Sequence, residues 1–230
     1  MLDGKNLPWV ESAPHLGHIL HESGSMDQDT KAKRAKFIDE STRIRETFQF
    51  ASPCEVLRAV KVYVGSHYSS NLWQLDSDLV GQYFSAWRTC VKLAWQLPRT
   101  THTYLVDHLL SCGLSSVRID ILSRYAKFLR GLKHSASMEV AVMFGVVKGD
   151  VQTTTGQNIR MLRMETSLDP IIVDSVAIRT ALVDMIPPVP EADRWRLKYL
   201  GSMLETRGEA NYAGKDTALI TSLIDSLCSS

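Results

Sequence analysis

Four cysteines in 230 residues, Cys54, Cys90, Cys112 and Cys228, lie too far apart to form a C-x-x-C pair. That spacing argues against a zinc site or a disulfide framework, and the four read as reduced, buried thiols. Long apolar runs are missing as well. The longest, Val140 to Val147, is interrupted by Gly145 and bounded by Glu139 and Lys148, far short of the roughly 20 residues that cross a bilayer, so no membrane partner is expected. The first thirty residues carry Asp3, Lys5, Glu11, Glu22, Asp27 and Asp29 without a continuous apolar stretch. No secretory signal is read there, and an intracellular location, nuclear or cytoplasmic, is expected. The chain also has no G-x-G-x-x-G or phosphate loop, no internal repeat and no low-complexity tract.

Clustered carboxylates are scarce, which bears directly on chemistry. Two-metal catalysis needs several carboxylates converging on the ions. The pair considered for such a role, Asp76 and Asp78, sits at a helix start, where a carboxylate caps amides and meets a favourable dipole. His15, His18 and His21 recur every third residue. With Pro14 opposing a helix they fall on an extended segment, where alternation turns His18 away from the other two, so metal coordination is not expected. His102, Asp107 and Ser111 could be written as a triad, but no nucleophile elbow or glycine-rich oxyanion loop accompanies them. No catalytic residue, metal ligand or cofactor is assigned.

What is present is a chain of globular composition, 44% apolar, with 26 basic against 25 acidic residues. It is long enough for one large core or two modest ones. The near-zero balance hides two local basic regions. The first runs from Lys31 through Lys33, Arg34, Lys36 and Arg43 to Arg45, against Asp39 and Glu40; the second carries Arg99, Arg118, Arg124, Lys127, Arg130 and Lys133. Such stripes can track phosphates through counterion release, although charge alone favours a solvated helix face.

The periodicities predict a mainly α chain preceded by a short N-terminal β-hairpin. Asp3-Gly4 and Lys5-Asn6 give turn chemistry, and Pro8 and Pro14 keep residues 1 to 22 extended. From Asp27 the spacing turns helical, with Phe37, Ser41, Ile44 and Phe48 on one stripe beside Ile38. Ser52-Pro53-Cys54-Glu55 opens a second helix to about Ser69. Asp76 or Ser77 caps a third, whose Val80, Tyr83, Phe84, Trp87, Val91 and Trp95 form an aromatic-rich stripe ended by Pro98. A helix from Thr100 or Thr101 to Leu110 follows. Another carries Val117, Ile121, Tyr125, Phe128 and Leu132 on one face, with Arg118, Lys127 and Arg130 off it. Residues 138 to 148 form an apolar element of undecided type, and the Thr-rich Gln152 to Asn158 reads as a surface loop. Helices are expected over Asp174 to Met185, Asp193 to Leu204 and residues 216 to 227, with Pro187-Pro188-Val189-Pro190 as a break.

Several short elements in this order resemble the C-terminal part of a LINE-type, non-LTR retrotransposon reverse transcriptase. They are Leu16-Gly17-His18 after Pro14; Tyr68-Ser69-Ser70-Asn71-Leu72-Trp73, with Ser69 where the family has glycine; Trp87-Arg88 with Lys92; Leu97-Pro98; Thr101-His102; Arg124 with Phe128; and Gly156-Gln157-Asn158-Ile159. The resemblance spans about residues 1 to 160 and leaves 161 to 230 to continuity.

The resemblance implies an end-of-palm hairpin fragment over 1–25 and a three-helix, thumb-like bundle over 26–97. A helical C-terminal region over 98–186 and a Pro-rich linker with C-terminal helices over 187–230 complete the organisation. It implies contact with an RNA template and an RNA/DNA duplex through Leu16, Gly17, His18, Lys33, Arg34, Lys36 and Arg43. The hairpin would support the primer strand and the basic side chains would grip phosphates without reading sequence. The catalytic aspartates and their Mg²⁺ would belong to a palm that precedes Met1, itself a possible partner, so the chain is expected to be inactive alone. Trp73, Trp87 and Trp95 are expected in the core rather than as stacking platforms. A helical protein-interaction module without nucleic-acid binding is the competing reading, and an independent enzyme built on a helical pocket has only scattered Ser, His and Asp to draw on.

Overall fold

The computed structural model describes residues 10–49, 51, 53–64, 68–95, 97–111, 116–196, 198 and 199. Two strands, β1 (Ser12–His15) and β2 (His18–His21), precede helices α1 (Asp27–Thr47), α2 (Pro53–Tyr63), α3 (Asp78–Ala94), α4 (Thr103–Ser111), α5 (Val117–Lys133), α6 (Met138–Val147), α7 (Thr154–Thr166) and α8 (Ser175–Asp184). Short 3₁₀ turns occupy Tyr68–Leu72 and Glu191–Asp193. The chain is thus mainly helical with a small antiparallel hairpin at the front, as its periodicities predict. The predicted helix over 216 to 227, the turn chemistry at residues 3 to 6, and the Ser52 cap lie outside the described residues.

Helix α3 is the spine. Ser77 begins it, its Oγ accepting from the Val80 amide at 3.4 Å, and Asp78 follows in the first turn, where the helix dipole favours a negative charge. The side-chain cap is therefore Ser77, between the two aspartates. Val80, Tyr83, Phe84, Trp87, Val91 and Trp95 are all buried, each large side chain stabilising the fold by about 1.5–3 kcal/mol. Phe37 of α1 meets Tyr83 and Trp87 with ring centroids 5.3 and 6.2 Å away, and Trp73 meets Tyr83 edge-on at 5.1 Å. All three tryptophans named from the sequence are core residues, at 0–2% exposure. Burial, with the Glu40 carboxylate adding to it, pushes the Tyr83 phenol upward. The α1 stripe is narrower than its spacing predicts. Phe37 and Ser41 are buried and Ile44 half-buried, but Ile38 and Phe48 remain 43% exposed.

Helix α5 joins this layer to the later helices through Val117, Ile119, Ile121, Leu122, Tyr125, Ala126 and Leu129, all buried. It packs on α3, α6, α8 and the 68–72 turn. Asp120 of α5 receives Lys61 of α2 at 2.8 Å and Arg179 of α8 at 2.9 Å, so one carboxylate ties three helices together. Asp174 caps α8 through the Ala177 amide at 2.7 Å.

Two sequence readings change here. Of residues 138 to 148, Met138–Val147 are helical, capped by Ser137. The helix is apolar nearly all round, yet Phe144 is its one buried residue, which is why its pattern did not reveal its type. The segment 152 to 158 is not a surface loop. Thr153 caps α7, its Oγ1 accepting from the Gly156 amide at 3.0 Å, so the threonines that read as a turn are a helix start. Gly156 and Asn158 are buried in the first turns of α7.

Gly156 shows why the start of α7 is constrained. A Cβ there would lie 2.0 Å from the backbone oxygen of Asp150, a clash that backbone must move to relieve. Gly156→Ala is expected to destabilise the chain by about 1–3 kcal/mol, as overpacking does, lowering the urea midpoint without changing the transition's slope. An unchanged midpoint would show that the Asp150 turn yields freely.

Candidate nucleic-acid interface

The hairpin and α1 hold most of the residues singled out from the sequence. Leu16 and Gly17 form a two-residue turn with φ of 47° and 81°, so both central residues occupy the left-handed region that hairpin turns of this length favour. Glycine adopts it without strain, whereas a leucine there costs about 1–2 kcal/mol. Leu16 is nonetheless 80% exposed. Space does not dictate the glycine, since a Cβ at Gly17 would meet nothing within 4 Å; its backbone angle does.

The turn also corrects the histidine geometry. Because it reverses the chain, the register pairs His15 with His18 and Ser12 with His21. Directly opposed residues share a face, so His15 and His18 lie on one side of the ribbon and His21 on the other. Among the described residues no group of three or more His, Cys, Asp or Glu is placed to hold a metal ion.

His18 faces inward at 9% exposure, its Nδ1 3.7 Å from the Asp29 carboxylate. Asp29 is the residue that sequence reasoning missed. It sits in the first turn of α1, where an acidic side chain ordinarily serves the dipole, but it is only 1% exposed. Its Oδ1 accepts from the Ile19 amide at 3.0 Å and its Oδ2 from the Trp73 indole at 3.1 Å. Lys33, one turn on, donates to the Gly17 carbonyl at 2.7 Å. Together these bonds fix the hairpin turn against the start of the basic helix.

The basic residues divide around α1. At about 100° per residue, Lys33, Lys36 and Arg43 fall on the flank shared with Asp29 and hence with the hairpin. Arg34 falls beyond Phe37 on the opposite flank, where it lines a cleft with Ile38 and Arg45. Lys36 and Arg43 are exposed and pair with Glu40 at 3.5 Å and Asp39 at 2.9 Å. Exposed pairs of this spacing are weak and screened by salt, so both cations can exchange carboxylate for phosphate. In the second basic region Arg118 is held by Glu165 at 2.5 Å, while Lys127 and Lys133 are exposed.

Asp76 and Asp78 flank the start of α3 in a shallow cleft that also takes in Arg118 and Glu165. Arg88 is paired in two-pronged fashion with Asp107, at 3.0 Å for each bond. Asp107 is thereby tied to an arginine, and His102 stacks on Tyr104 with centroids 5.5 Å apart. No described helix is long and apolar enough to cross a membrane.

No protein-family model matches this chain, and no curated protein or solved structure matches it at a significant level. The assignment of a function therefore rests on residues and geometry.

Removing the Asp29 carboxylate orphans two donors, the part-buried Ile19 amide and the buried Trp73 indole. Each costs about 1–3 kcal/mol. Asp29→Ala is expected to lower stability by roughly 3 kcal/mol and to accelerate amide exchange at Ile19 well beyond that in the middle of α3. Equal acceleration at both places would mean that the hairpin is not held separately by this carboxylate.

Proposed function

We propose that this chain is a non-catalytic, thumb-type nucleic-acid-binding part of a LINE-like RNA-directed DNA polymerase, gripping an RNA template and RNA/DNA duplex by its backbone. The observation that carries this reading is the Lys33 to Gly17 contact. It sets an exposed two-residue turn at the head of the exposed flank bearing Lys36 and Arg43, so that a tight backbone turn and a row of cations face the same side. A turn of this kind lets a nucleic-acid strand approach closely. Cations along a helix flank engage phosphates irrespective of sequence. Trp73, Trp87 and Trp95 lie in the core, which fits a backbone grip rather than base stacking by these three side chains. The candidate contacts are Leu16, Gly17, Lys33, Lys36 and Arg43. His18, turned to Asp29, supports the turn, and Arg34 belongs to the other flank.

A second reading, a helical protein-interaction module, is favoured by one specific feature. Met138, Val142, Met143 and Val146 expose 57–74% of their surface on one side of α6, and an apolar patch of that kind is a common mark of a protein contact.

Binding separates the two. The triple change Lys33→Ala, Lys36→Ala and Arg43→Ala is expected to weaken binding to an RNA/DNA duplex equally across sequences. It should also flatten the dependence on salt by roughly one unit of slope per lost contact, with the circular dichroism spectrum unchanged. Duplex binding that is measurable in the parent and unaltered in the triple variant would remove this flank from the interface.

Chemistry gives a further test. Orientation of the primer end and activation by metal both require a surface bearing clustered carboxylates. The purified chain is expected not to extend a primer on an RNA template with Mg²⁺ or Mn²⁺. Extension that disappears when Asp76 and Asp78 are both changed to Asn would overturn the non-catalytic assignment.

A further inference from the structure

On the flank of α1 away from the hairpin, α1, α2 and α3 enclose a cleft of about 220 Å³. Its interior is apolar, formed by Phe37, Val56, Ala86 and Ala94, all buried. Arg34 and Arg45 border it and no carboxylate does. Neither arginine makes an ion pair among the described residues.

Two residues bordering the cleft each carry a buried polar atom without a hydrogen-bond partner. Ser41 is 5% exposed, and its Oγ has none; the Arg34 Nε is likewise shut from solvent without one. Buried polar groups are satisfied in the great majority of cases, so two such residues beside one cleft need an explanation. The other hydroxyls at the cleft are already committed: Thr42 to the Ile38 carbonyl, Ser85 to that of Gly81 and Thr89 to that of Ser85. Ser41 neighbours the Cys90 thiol. Burial pushes that thiol up to about 11, against smaller opposing effects of Ser41 and Arg45, so near neutral pH it is uncharged and offers the arginines no counter-charge.

The geometry points to a binding site for a small amphipathic monoanion, with its apolar body on Phe37, Val56 and Ala86 and its charged head on Arg34, Arg45 and the Ser41 hydroxyl. A carboxylate is the best head, because two coplanar oxygens match the guanidinium fork. The volume equals that of roughly seven liquid waters, the scale of a medium-length acyl chain. The site is separate from the proposed nucleic-acid flank and does not depend on it. Arg34, grouped by sequence with the phosphate-gripping cations, is here the anchor for a different ligand.

The probes are octanoate, octanol and octylammonium, titrated into the full chain at pH 7 and followed by calorimetry and by amide shifts in α1 and α3. Octanoate is expected to bind with one-to-one stoichiometry, at least tenfold more tightly than octanol and with no measurable binding of octylammonium. Arg34→Gln should weaken octanoate at least tenfold while leaving octanol unchanged. Ala86→Leu, which fills the interior, should abolish both, and Lys36→Gln should alter neither. Octanol as tight as octanoate, preference for the ammonium, octanoate binding unaffected by Arg34→Gln, or no saturable octanoate binding up to millimolar concentration would each overturn the site. Arg34→Gln and Lys36→Gln are expected to keep the parent's helical spectrum, which leaves the comparison valid even where Ala86→Leu fails to fold.

Discussion

Trp73 is held at both ends, and the two halves of the molecule meet through it. Its indole nitrogen donates to Asp29 on α1, while its carbonyl oxygen accepts from the Asn158 side chain on α7 at 2.8 Å. Asn158 also accepts from the Leu75 amide at 2.8 Å, so one side-chain amide satisfies both a donor and an acceptor of the 73–75 segment. Asp29, Trp73 and Asn158 are each exposed by 1% or less. In such surroundings a missing partner leaves a polar group that water cannot reach. The chain of bonds from the hairpin through α1 and Trp73 to α7 therefore behaves as a unit. The aromatic contacts around Phe37 and Tyr83 add the apolar stabilisation, but the bonds at Trp73 select which arrangement of helices that packing serves.

The same chain of bonds explains why the hairpin has a defined place at all. Two four-residue strands are marginal by themselves, and β1 is exposed along its whole length. What fixes the ribbon is its attachment to α1 through Ile19, His18 and Gly17. The turn is thereby tied to the flank of α1 that carries Lys36 and Arg43. On the other flank of α1 the apolar cleft is shaped by the packing of α1 on α3. The two faces of one helix are thus built by different forces, one by hydrogen bonds and one by side-chain packing.

Much of this fold is legible in the residues. The α3 stripe, the helix after Asp174 and the hairpin before Asp27 follow from periodicity and turn chemistry, because those signals are local. The failures are also physical. Asp29 resembles any first-turn carboxylate until a hairpin ten residues earlier folds back on it. Asn158 lies in a stretch of threonines and glycine that has turn chemistry, and nothing local shows that Trp73, 85 residues away, needs its amide. The division of the basic residues was accessible to helical geometry: a run of cations in sequence is not a stripe, and Arg34 is about 100° away from Lys33 around the helix. The pairing of His15 with His18 required knowing that Leu16 adopts a positive φ, which leucine rarely does.

The span between Trp73 and Asn158 also imposes an order of events during synthesis. As the chain emerges at roughly 5–20 residues per second, Asp29 precedes Trp73, and both are available before Asn158. The Trp73 carbonyl and Leu75 amide, by contrast, await a residue translated about 4 to 17 s later at that rate. Through that interval α1, α2 and α3 can collapse around their aromatic side chains, but the segment leaving Trp73 stays open to water or to a chaperone. The nascent protein can thus hold its first layer before its central joint is made, and ribosome pausing between residues 75 and 158 would lengthen that interval.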